Sequence, residues 1–162
     1  MAMIPNLRSA GPLKRSLPLA LLATALAVSG AAHAGLGEPR ESVARDHAAL
    51  QGSTLTVTSA AAYEVHETVI SDGTRVRQFV APAGTVFAVA WSGRSLPNLQ
   101  VLLAQHYPEF VAAAAAHRGS HHVLEISTPG LVLNVTKLPR ASSGYAHVPA
   151  LLPANASVQE LR

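Results

Sequence analysis

Polar and apolar positions along the chain follow two different periods. Val43, His47 and Leu50 stand at i, i+4 and i+7, one stripe of a helix over residues 40–51. Glu38-Pro39 leads into it, and Gly52 is its expected stop. From Tyr63 the period becomes two. Tyr63, Val65 and Val69 share one face and Glu64, His66 and Thr68 the other, with Glu67 and Ile70 out of step. Asp72-Gly73 predicts a hairpin with positive φ at both central residues, and Arg75 to Ala81 returns as a second strand. After a Pro82-Ala83-Gly84 turn, Thr85 to Trp91 forms a third. Its core, Val86 to Trp91, is apolar on both faces and belongs at the centre of a sheet.

Leu96, Leu99, Leu102, Leu103 and Phe110 trace a second helical stripe, which Pro108 should kink near Tyr107. The alanine run Ala112 to Ala116 continues it, and Gly119 ends it. His122 to Ser127 and Leu131 to Lys137 then flank a Thr128-Pro129-Gly130 turn. These elements predict an α+β fold: an antiparallel sheet made of a three-strand meander plus a C-terminal hairpin, with two helices packed on one face. Gly35-Leu36-Gly37 reads as a flexible opening, and Pro139 to Arg162, with Pro149 and Pro153, as a semi-extended tail. The expected organisation is a leader over 1–34, a domain over 35–138 and a Pro-containing tail over 139–162.

Composition sharpens the first of those boundaries. Arg8, Lys14 and Arg15 precede an apolar run from Leu17 to Val28 and then Ala32-His33-Ala34. That order is a secretory signal peptide, with cleavage expected between Ala34 and Gly35. The run is shorter than the roughly 20 residues of a membrane span, so no span is expected after cleavage. Removing 34 of 162 residues leaves nine basic and nine acidic side chains, a formal net charge of zero despite a whole-chain charge of +3. A neutral chain lacks the basic field that nucleic acid requires, which excludes that partner. Cysteine is absent, so disulfides, thiolate metal sites and cysteine nucleophiles are excluded as well.

Several stretches carry a resemblance. They are Ala34-Gly35-Leu36-Gly37-Glu38-Pro39, Tyr63-Glu64-Val65-His66-Glu67, Pro82 through Trp91 with Leu96-Pro97, and Tyr145-Ala146-His147-Val148-Pro149 near Leu151-Leu152-Pro153. In this order they resemble the exported bacterial family catalogued as domain of unknown function 2844. The resemblance implies an exported single-domain protein and transfers no activity, cofactor or catalytic residue.

Chemical candidates are few. His66-Glu67 begins a zinc-protease signature, but Ile70 stands where the second histidine belongs. No Gly-x-Ser-x-Gly elbow and no phosphate loop occurs. His117, His121 and Glu125, with His122 beside them, form a candidate metal set, because imidazoles at a helix end and a strand start can converge on one ion. Trp91 and Arg94 are candidate ligand contacts: an aromatic at the end of the central strand and a guanidinium in the loop Ser92-Gly93-Arg94-Ser95, where Ser95 is placed to cap the next helix. The expectation is an exported, periplasmic or secreted, non-enzymatic protein that binds an envelope protein or another periplasmic component. The alternative is a carrier of a small ligand or metal, using a helix–sheet groove near Trp91 or the histidine cluster. No cofactor is implied.

Overall fold

The structure, a computed structural model, describes residues 35–119 and 122–161. The expected leader and Ala34 lie outside the described residues. Among the described residues the seven strands are β1 (Gly52–Ser59), β2 (Glu64–Ile70), β3 (Arg75–Val80), β4 (Val86–Gly93), β5 (Val123–Ser127), β6 (Val132–Leu138) and β7 (Ala141–His147). Helix α1 (Val43–Ala49) precedes the sheet, and α2 (Leu99–Leu103) and α3 (Tyr107–Ala116) lie between β4 and β5. All strands join one antiparallel sheet in the order β1-β2-β3-β4-β7-β6-β5. The α+β class is as expected, but the sheet has seven strands where a three-strand meander and a hairpin were expected.

The two additional strands take contrasting places, one at an edge of the sheet and one in its interior. β1 extends the meander outward and forms one edge. β7 is formed by the first residues of the expected tail. Leu138 pairs with Ala141 across a tight turn, and the returning strand inserts between β6 and β4. Its sequence, Ala-Ser-Ser-Gly-Tyr-Ala-His, lacks the β-branched residues that usually mark a central strand. Bulk from its neighbour replaces them. Trp91, opposite Gly144, is only 2% exposed, and its indole Nε1 donates to Ser142 Oγ at 3.2 Å. A Cβ at Gly144 would collide with the Trp91 ring and the Asn134 carbonyl.

The β2–β3 and β3–β4 turns use the same three-residue loop. Gly73 N–H donates to Ile70 O, Ile70 N–H donates to Thr74 O, and Gly73 has φ +85°. Ala81, Gly84 and Thr85 repeat the pattern, with Gly84 at φ +81°. Only the glycine is left-handed in each, so Asp72 is not the positive-φ residue expected of a two-residue turn. Asp72 instead accepts from Thr74 N at 2.8 Å, and hydrogen bonds from Ser95 and then Thr74 hold its carboxyl below the usual range.

The expected kink at Pro108 is a break one turn earlier. Asn98, not Ser95, caps α2, accepting from Gln100 N at 3.0 Å and Val101 N at 3.3 Å. Ala104 turns left-handed at φ +45°, a 3-10 turn follows, and Pro108 occupies the first turn of α3, where its missing N–H costs nothing. Likewise, Gln51 rather than Gly52 is left-handed at the end of α1. The segment expected to open flexibly is pinned: Leu36 is fully buried, and its N–H donates to Leu102 O at 2.9 Å.

Two apolar layers result. On one face Val76, Val89, Trp91, Leu133 and Ala146 meet Leu36, Val43 and the leucines of α2. The strand register puts Arg77, Phe79, Ala90 and Tyr145 on the other. An extra residue in β4 opposite Phe79 and Val80 turns both Phe87 and Ala88 to that second face. There they meet Leu152, Ala156 and Leu161 of the C-terminal segment, which is therefore packed rather than trailing. Gly144→Val should destabilise the fold by about 2–4 kcal/mol through overpacking at Trp91. A urea unfolding titration followed by tryptophan fluorescence measures this.

Candidate binding groove on the open sheet face

The C-terminal segment covers only part of the second face. The remainder carries a groove of about 440 Å³, lined by Arg77, Trp91, Ser92, Glu125, Asn134, Ser143, Gly144 and Tyr145. Strand register explains why these residues meet. Arg77 lies opposite Ala90, Ala90 opposite Tyr145, Tyr145 opposite Asn134, and Asn134 opposite Glu125. Directly paired residues point to the same face, so one transverse row of five strands presents a guanidinium, a methyl, a phenol, an amide and a carboxylate. The row spans four inter-strand spacings, about 19 Å of backbone.

The side chains of the row are held in place. Asn134 Nδ2 donates to Glu125 Oε1 at 2.8 Å. The Arg77 guanidinium lies 5.7 Å from the centre of the Phe79 ring. Tyr145 stacks on His147, with ring centres 6.3 Å apart and 16° between planes. His147 is itself buried, and desolvation holds its imidazole below the usual pKa, which favours a neutral ring beneath Tyr145 at pH 7. One cation, one anion, two serine hydroxyls, an amide and a phenol therefore share a groove without net charge. Such a lining makes many directed hydrogen bonds and does not select by charge sign.

The residues singled out from sequence divide. Trp91 lines the groove, although its ring belongs mainly to the helix-side core. Glu125 also lines it, but as a hydrogen-bonding partner of Asn134, pointing away from the face on which α3 packs. Arg94 is exposed beyond the end of β4 and is not among the lining residues. His117 is exposed at the end of α3, and His122 Nδ1 lies 3.2 Å from Lys137 O. His121 and Ser120 lie outside the described residues. Among the described residues no group of three His, Asp or Glu side chains converges. The groove anticipated between helices and sheet lies on the face away from the helices. Arg77, Asn134, Ser143 and Tyr145 were not singled out as one site, because only the β7 pairing brings them together.

A second polar cluster is sealed under α1. Asp46, Ser42, Gln78, His66 and Thr68 are all buried there, and His47 Nδ1 lies 3.3 Å from Thr68 Oγ1. Gln78 Nε2 donates to Asp46 Oδ2, while Asp46 Oδ1 and Gln78 Oε1 have no hydrogen-bond partner. Burial pushes the Asp46 carboxyl up to about 7, against the opposing pull of the Gln78 hydrogen bond and of nearby Arg45. A proton on this acid spares the cluster an ionised group held out of reach of water.

These features define a small two-layer α+β domain with a charge-balanced groove on its open sheet face. The chain belongs to a family described as proteins of unknown function, DUF2844, whose model matches residues 32–161. No curated protein and no solved structure matches the chain.

The Asp46 carboxyl has a definite signature. Its proton is retained in the folded state up to about pH 7, whereas the unfolded carboxyl releases it near 3.8. Stability from this group is therefore greatest below the unfolded value, falls as pH rises, and levels off above 7. Asp46→Asn cannot ionise, so its stability relative to the parent should increase between pH 5 and pH 8, reaching about 2–4 kcal/mol. Paired denaturation curves at the two pH values check this.

Proposed function

We propose that the chain is an exported, non-enzymatic binding protein that holds a polyhydroxylated ligand, a saccharide of the cell envelope, in the groove on its open sheet face. The observation that carries this reading is the transverse row Arg77, Tyr145, Asn134 and Glu125, presented in one groove by strands distant in sequence. The volume suits a small-molecule ligand or a segment of a longer one. Hydroxyl, amide, guanidinium and carboxylate groups together satisfy both donors and acceptors of a sugar's hydroxyls, and an uncharged ligand matches a lining of zero net charge. The 19 Å row favours an oligomer over a single ring.

Export is supported by the basic, apolar and small-residue order of residues 8–34. A binding role, rather than hydrolysis, is supported by the groove's composition. Ser92 and Ser143 share it with no histidine among the lining residues, and the one carboxylate is engaged by Asn134. The envelope component expected from sequence is, on this reading, a glycan.

Trp91 is the chain's single tryptophan and lines the groove, so its fluorescence reports on occupancy. Titration with soluble oligosaccharides cut from envelope glycan strands should change that emission saturably. Arg77→Ala combined with Asn134→Ala should weaken binding at least about tenfold, since each removes hydrogen bonds worth roughly 1 kcal/mol. No response up to millimolar saccharide, or equal affinity in the folded double variant, would overturn the proposal.

A further inference from the structure

The two edges of the sheet differ. β5 carries Glu125 and packs beside α3, whereas β1 is uncharged, free of proline and eight residues long. From Ser53 to Ser59 every residue of β1 is exposed, with Leu55 at 38% and Val57 at 53%. Edge strands are normally blunted by charge, proline or a covering element, because their free backbone groups template another strand. β1 has neither charge nor proline, and α1, which abuts its first residue, leaves Ser53 to Ser59 exposed.

Its sequence supplies the template's partner. Ser53-Thr54-Leu55-Thr56-Val57-Thr58-Ser59 reads the same in both directions about Thr56, apart from the exchange of Leu55 for Val57. Backbone polarity agrees with that centre. Ala60 N–H donates to Tyr63 O, closing the β1–β2 hairpin. The alternation of an antiparallel ladder then directs the backbone groups of Thr58, Thr56 and Thr54 toward β2, and those of Ser59, Val57 and Leu55 outward. A two-fold axis at Thr56 therefore sets the outward groups of Leu55 against those of the partner's Val57, and the reverse. Thr54 faces the partner's Thr58, and the two copies of Thr56 meet side by side at the axis.

We infer that β1 is a homodimerisation edge, pairing antiparallel with a second copy of this chain about a two-fold axis at Thr56. The contact is isologous, as closed dimers require. Leu55 and Val57 share a face with His66 and Thr68, so the four apolar side chains of two copies form one cluster on the helix side. Thr54, Thr56 and Thr58 form a threonine ladder on the other. A single strand pair buries less than a standard stable interface, so the association is concentration-dependent.

The register gives a test that the cysteine-free chain makes clean. Sedimentation of the full chain over a concentration series should show a monomer–dimer equilibrium. Thr56→Lys should abolish it, because two ammonium groups would meet at the axis, while in the monomer the new lysine lies opposite Glu67 and the strand is kept. Thr56→Cys should cross-link to a dimer under mild oxidation, since non-hydrogen-bonded pairs bring Cα atoms within disulfide range. Thr54→Cys alone should not link, but should link when mixed with Thr58→Cys. A chain that stays monomeric throughout, a dimer that survives Thr56→Lys, or a Thr54→Cys that links as fast as Thr56→Cys would each overturn the proposal.

Discussion

The pairing of β7 with both β4 and β6 is the contact on which the rest of the structure depends. It fuses a four-strand meander and a three-strand meander into one sheet, and the helical crossover between them becomes a cover for one face. Small residues make the fusion work. Gly144 leaves room for the Trp91 ring, and Ser142 accepts its indole proton, so the largest side chain in the chain is buried without an orphaned polar atom. The same strand supplies Ser143 and Tyr145 to the groove on the opposite face. Packing on one side and binding chemistry on the other therefore meet in seven residues.

The two faces are finished by different means. The helix side is an apolar layer that also encloses a polar cluster around the Asp46–Gln78 pair, whose cost is lowest when the acid keeps its proton. The second side is closed only in part. Tyr63, Phe79 and Phe87 pack edge to face under Leu161, and Tyr63 OH donates to Glu160 at 2.9 Å, which fastens the end of the chain over them. Beyond that strap the polar row is left open. Where the apolar packing of this side ends, the sheet can present such a row without exposing apolar surface.

Much of this was legible in the sequence. β2, β3 and β4 announce themselves through period-two patterning and Gly-containing turns, and the apolar run Val86 to Trp91 correctly marks the interior of the sheet. β1 carried a signal in its alternating threonines with Leu55 and Val57, but with both faces exposed it lacks the apolar–polar contrast that periodicity detects. β7 carried almost none, because its place is set by what Trp91 needs rather than by its own β-propensity. The groove followed β7 into obscurity. Arg77, Asn134 and Tyr145 are far apart in sequence, and only register aligns them. Glu125 was singled out as a metal ligand, whereas its visible partner is the Asn134 amide in the groove.

The β7 insertion also fixes an order of assembly. Trp91 and Ser142, which meet across the seam, are 51 residues apart in sequence. The first meander can zip from local turns, but the sheet closes only when the final twenty or so residues arrive, and such distant pairings are slow to form. A chain clipped before Ala141 would keep both sets of neighbouring strands and lose what unites them. The intactness of the whole domain is thus read out at its last strand, so that an incomplete copy is left open, with the interior edge of β4 bare and accessible to proteolysis.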